Sequence, residues 1–66
     1  MKNRIKLLRV ERDLSQAQLA DELGIARQTV VALEAGKYAP SLPLAFKISK
    51  LFLKPVEDIF DADSTD

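Results

Sequence analysis

Among its 66 residues the chain has no cysteine and no histidine. That removes disulfides, thiol nucleophiles, imidazole catalysis and the usual zinc ligands together, and it suits a reducing cytoplasm. No apolar run approaches the roughly 20 residues of a membrane-spanning helix, and the opening MKNRIKLLRVER sets charges through its apolar residues, unlike a secretory signal. The protein is therefore expected to be soluble and cytoplasmic, with no membrane partner. There are only two glycines and no glycine-rich phosphate loop. The carboxylates sit mostly at helix ends and in the last residues, with Asp21 and Glu22 reading as solvated helix positions. No enzymatic activity, cofactor, metal or small-molecule ligand is expected.

What is present makes one domain, near the lower size limit for a core without disulfides or metal. Net charge is zero but unevenly spread. Glu57, Asp58, Asp61, Asp63 and Asp66 crowd the last ten residues without a base, so residues 1–56 carry ten bases against five acids, net +5. Such polarity would orient the molecule in a phosphate field, basic end inward. Acids at a helix start and in a tail also serve solubility alone, and the two readings stand level.

The informative stretch is Ser15 to Gly36, SQAQLADELGIARQTVVALEAG. Ser15 and Gln18 have the spacing of a reciprocal capping box, which fixes a helix start. Leu19, Ala20 and Leu23 fall on one helical face, and Gly24 then supplies a residue able to take positive φ where that helix stops. Ile25 plugs under the turn, and a second helix from about Arg27 places Val30 and Leu33 inward before Gly36 ends it. Two helices joined so tightly must cross steeply, which explains the small Ala20 where the backbones approach.

At these residues the chain resembles the phage repressor and Cro family of small helix-turn-helix DNA-binding regulators. The likeness extends to Arg9, to LSQAQLA from Leu14 to Ala20, and to RQTVVALEAGKYAPS from Arg27 to Ser41. It implies an all-α, compact five-helix bundle of the repressor DNA-binding-domain type, with helices near 4–12, 16–23, 27–35, 42–52 and 56–60. These make one domain over 1–61, followed by a short acidic tail at 62–66. The resemblance also implies a partly buried ion pair between Arg9 and Glu34. Two positions depart from the family pattern: Ala26 replaces a capping Ser or Thr, a loss of about 1 kcal/mol, and Leu53 stands where Asn or Gly is expected at a helix C terminus. Either that helix continues, or Leu53 is held by burial, or an exposed Leu53 enlarges an apolar patch.

The rest of the chain supports the motif. Asn3 is a candidate cap for the first helix, whose inner face carries Ile5 and Leu8, while Leu7 and Val10 lie off that face, against the C-terminal segment or a partner chain. KYAPSLP is a loop, and Ser41 caps the helix that follows. Leu44, Ala45, Ile48, Leu51 and Phe52 have the spacing of a buried stripe. Pro55 starts a short last helix with Val56, Ile59 and Phe60 apolar, and the residues beyond it should fray.

With Ala20, Val30 and Leu33 inward, the second motif helix must turn Arg27, Gln28, Val31 and Ala32 outward, with Thr29 beside them. Arg can fork onto guanine, Gln onto adenine, and small apolar groups suit the thymine methyl. Phosphate contacts are expected from Gln16 at its helix start, from Thr29, and from Lys37, Tyr38 and Ser41 in the loop. One such unit reads few base pairs, so a homodimer on an inverted repeat of double-stranded DNA is expected, joined through Leu53, Val56, Ile59 and Phe60. Function is then transcriptional regulation, with repression by occlusion requiring the fewest parts. The rival is an antitoxin-like or other protein-interaction module in which DNA binding is secondary.

Overall fold

A computed structural model describes residues 1–61; the expected acidic tail, with Asp63 and Asp66, lies outside the described residues. Among the described residues five helices form in order: α1 (Ile5–Glu11), α2 (Gln16–Leu23), α3 (Arg27–Glu34), α4 (Leu42–Phe52) and α5 (Val56–Ile59). α2 and α3 pack on each other, α1 closes over α3, and α4 joins α2 to α5. Twelve apolar side chains make the core, among them Ile5, Leu19, Val30, Ile48 and Ile59, none measurably exposed. No polar or charged residue is buried with them among the described residues.

Local chemistry sets the helix limits. Ser15 Oγ accepts from the Gln18 N–H at 3.0 Å, and Gln18 Oε1 accepts from the Ser15 N–H at 2.8 Å, so the capping box is complete. α2 stops at Gly24, left-handed at φ 69°, and the Ile25 N–H donates to the Ala20 carbonyl at 3.0 Å to close the turn. Ala26 begins α3 without a side-chain cap. Ser41 Oγ accepts from the Leu44 N–H at 3.3 Å and opens α4. Lys47 Nζ donates to the Leu23 carbonyl at 3.4 Å, a cation at the negative end of α2.

Three features depart from the sequence-based expectations. α1 begins at Ile5 with Arg4 in the cap position, and Asn3 acts from one residue further out: its Oδ1 accepts from the Ile5 N–H at 3.1 Å. Its Nδ2 meanwhile donates to the Leu33 carbonyl at 2.7 Å and the Met1 carbonyl at 3.2 Å. Asn3 also pairs with Phe60 in an isolated antiparallel bridge, in which the Arg4 N–H donates to the Ile59 carbonyl at 2.8 Å and the Asp61 N–H to the Lys2 carbonyl at 2.9 Å. Phe60 is therefore extended, φ −110° and ψ 136°, and ends α5 instead of continuing it.

Leu53 is the third. α4 ends at Phe52, and Leu53 itself takes the left-handed conformation, φ 56° and ψ 42°, with 82% of its surface exposed. Of the alternatives open for it, exposure is the one found; neither continued helix nor burial accounts for it. The strain is held by the bonds around it: the Lys54 N–H donates to the Ser49 carbonyl at 3.2 Å, and the Ser49 hydroxyl donates to the Lys54 carbonyl at 2.5 Å.

Candidate nucleic-acid interface

Burying Val30 and Leu33 rotates the opposite face of α3 into solvent, and there Arg27, Gln28 and Val31 stand exposed with Ala32 half-buried between them. Val31 keeps 42% of its surface accessible. A shallow recess of about 210 Å³ follows on this face, floored by Val31, Ala32 and Ala35 and rimmed by Gln28 and Lys37. Acceptor, donor and methyl-sized apolar surface thus lie side by side, the combination that base edges in a major groove present in complement. Thr29 is half-buried at the edge of the face.

Beyond α3 the chain turns at Gly36, left-handed at φ 73°, where a Cβ would approach the Met1 carbonyl oxygen to 3.3 Å. That turn sets the exposed Lys37 and Tyr38 beyond the last turn of α3. Ser41 is exposed; its hydroxyl oxygen is engaged by the α4 cap, and its proton is left to donate.

The ion pair implied by the family likeness is present. Arg9 Nε donates to Glu34 Oε2 at 2.6 Å and Arg9 Nη2 to Glu34 Oε1 at 3.2 Å, a two-point contact between α1 and α3, with side chains 12% and 6% exposed. Arg9 Nη1 also donates to the Leu14 carbonyl at 2.8 Å. Desolvation offsets much of the attraction in such a pair, but losing one member strands the other. Gln16 enters the same cluster: its Nε2 donates to Glu34 Oε1 at 3.2 Å, which ties the start of α2 to the end of α3. The sequence gives no signal for that bond.

The four residues expected to join two copies do not form one open face. Ile59 is fully enclosed and Phe60 is 5% exposed, both within the chain's own core. A four-residue helix has too little surface to leave its apolar side uncovered once the Asn3 bridge draws it in. Leu53 remains exposed and Val56 half-buried. Next to Val56 opens an apolar groove of about 390 Å³, lined by Ala39, Pro40, Leu42 and Ala45. Leu42, which lines it, and Phe46, one turn further along α4, are exposed at 65% and 53%. Leu7 and Val10 are likewise more than half exposed on α1 among the described residues.

No group of acidic residues that could hold a metal ion occurs among the described residues, and no helix there is long and apolar enough to cross a membrane.

Comparison with known proteins agrees with this geometry. The helix-turn-helix family model matches residues 5–59, from the start of α1 to the end of α5. A transcriptional regulator of helix-turn-helix type from Methanocaldococcus jannaschii is 55% identical over 60 residues, 91% of each chain. One from Bacillus subtilis is 50% identical over 60 residues, again 91% of each. The cryptic phage CTXphi transcriptional repressor RstR of Vibrio cholerae is 33% identical over 63 residues, 96% of this chain and 57% of its own. Among solved structures, a candidate DNA-binding protein from Bacteroides fragilis superposes with TM-score 0.75 at 26% identity, covering 88% of this chain and 94% of that one. The chain belongs to the Cro/repressor-type helix-turn-helix family and is a DNA-binding transcriptional regulator.

Proposed function

We propose that the protein is a repressor that binds an inverted-repeat operator as a homodimer, laying α3 in the major groove of each half-site. The observation that carries this is the face of α3: Arg27, Gln28 and Val31 are exposed together, while Val30 and Leu33 on the opposite face are locked into the core. Arg27, Gln28, Val31 and Ala32 read base edges, and Gln16, Thr29, Lys37, Tyr38 and Ser41 contact phosphates on either side. The likeness to a phage repressor supports the sign of regulation, and occluding polymerase requires no domain beyond the one that binds DNA.

Dimerisation supplies the specificity that one short helix lacks. Its surface takes in the groove between the loop before α4 and α5, lined by Leu42 and Val56, together with the exposed Leu53 at the end of α4. Phe60 lines the groove, and Ile59 lies in the chain's own core. Selection of bound duplexes from a random pool tests the reading: the recovered sequences should contain an inverted repeat with half-site centres about 34–36 Å apart, one helical turn. Selection of a single unrepeated site, with a monomer by sedimentation on that DNA, would refute the dimer.

A further inference from the structure

Glu34 spends its carboxylate on two partners. Arg9 holds both oxygens through its Nε and Nη2, and Oε1 is shared with the Gln16 side chain at 3.2 Å. A carboxylate only accepts, so the Gln16 amide must face it with Nε2 and turn Oε1 away. One Nε2 proton is then used and one is left. Gln16 is also the first residue of α2, where the Ser15 hydroxyl takes the Gln18 N–H but the N–H groups of Gln16 and Ala17 have no partner within the helix. The free amide proton and these free backbone donors belong to the same helix start.

We propose that Glu34 is a positioning residue for DNA binding: fixed by Arg9, it holds the Gln16 amide in one orientation, so that Gln16 meets a phosphate oxygen already ordered. The proposal rests on the DNA-binding orientation given above. It assigns to the ion pair a role beyond joining α1 to α3. A glutamine side chain left free would have to be immobilised on binding, at a cost of roughly 0.5–1.5 kcal/mol in affinity, about twofold to twelvefold. Gln28, exposed on α3 with no side-chain hydrogen bond among the described residues, provides the contrast within the same molecule.

Glu34→Gln tests it. The variant keeps the shape but has one acceptor oxygen, which the charged Arg9 retains, and its amide group then opposes the Gln16 amide and releases it. On the duplex selected by the wild-type chain, Glu34→Gln should bind about twofold to twelvefold more weakly. In a Gln16→Ala background the same substitution should change DNA affinity little, while it lowers the melting temperature in both backgrounds through the weakened Arg9 pair. An equal loss of affinity with and without Gln16 would overturn the positioning role. Should Glu34→Gln fail to fold, nitrogen relaxation of the wild-type side-chain amides decides: the Gln16 amide should have a clearly higher order parameter than Gln28, which should lie in the flexible range below about 0.6. A wild-type chain that selects DNA but has a Gln16 amide as mobile as that of Gln28 overturns positioning alone. A chain that selects no duplex overturns the DNA-binding orientation, and positioning with it.

Discussion

Replacing Leu53 with glycine should make the protein more stable, although it removes a large apolar side chain. Leu53 is left-handed at φ 56°, and its side chain is 82% exposed, so little burial is lost with it. A residue with a Cβ costs about 1–2 kcal/mol in this conformation, whereas glycine adopts it freely and gives back about 0.5–1 kcal/mol in unfolded-chain entropy. The difference is a gain of about 0.5–1 kcal/mol, which raises the melting temperature of a chain this short by about 2–8 °C. Leu53→Ala is the control: it removes the same side chain but keeps the Cβ, and should show no gain. Thermal denaturation at low micromolar concentration, where any association through Leu53 is weakest, compares the two. Equal stability of the glycine and alanine variants would refute the claim that backbone strain at this helix end is the cost.

Other substitutions separate folding from DNA contact. Leu33→Ala should destabilise the fold by about 2–5 kcal/mol, since Leu33 is 1% exposed on the inner face of α3; chemical denaturation reads it, and an unchanged midpoint would mean the helix phase is wrong. Asn3→Ala should cost about 1–3 kcal/mol by leaving the Leu33 carbonyl and the Ile5 N–H without their side-chain partner, and near-neutral stability would show water replacing it. Arg27→Ala should weaken binding to the selected operator by about 1–3 kcal/mol and relax preference at one base pair; an equal loss on random DNA would contradict base reading. Lys37→Ala should instead weaken all duplexes alike and reduce the salt slope by about 1, and an unchanged slope would remove Lys37 from the phosphate contacts.

The motif was legible in the sequence because its signals are local. Ser15 and Gln18 are three residues apart, Gly24 and Gly36 mark the left-handed turns, and the two buried stripes have helical periods that no strand would produce. The Asn3 bridge to Phe60 was not, because one bridged pair leaves no period of two to detect. Gln16 and Glu34 meet only through the crossing of α2 and α3. For Ile59 and Phe60, an apolar face on a single helical turn reads the same whether it closes the chain's own core or awaits a second copy. Only the path of residues 1–4 across the C-terminal segment decides it. Leu53 defeated inference from the other direction: left-handed leucine is unfavourable enough that the sequence argues for other outcomes, and the bonds at Ser49 and Lys54 override it.

Fluorescence anisotropy on labelled duplex from upstream of the protein's own gene, against a scrambled duplex of equal composition at one salt concentration near physiological, tests sequence-specific recognition by α3 most directly. A preference of about a thousandfold or more is expected of a specific regulator acting on its own promoter. Equal, weak binding to the two duplexes, repeated with the duplexes recovered by selection, would contradict base reading by Arg27 and Gln28.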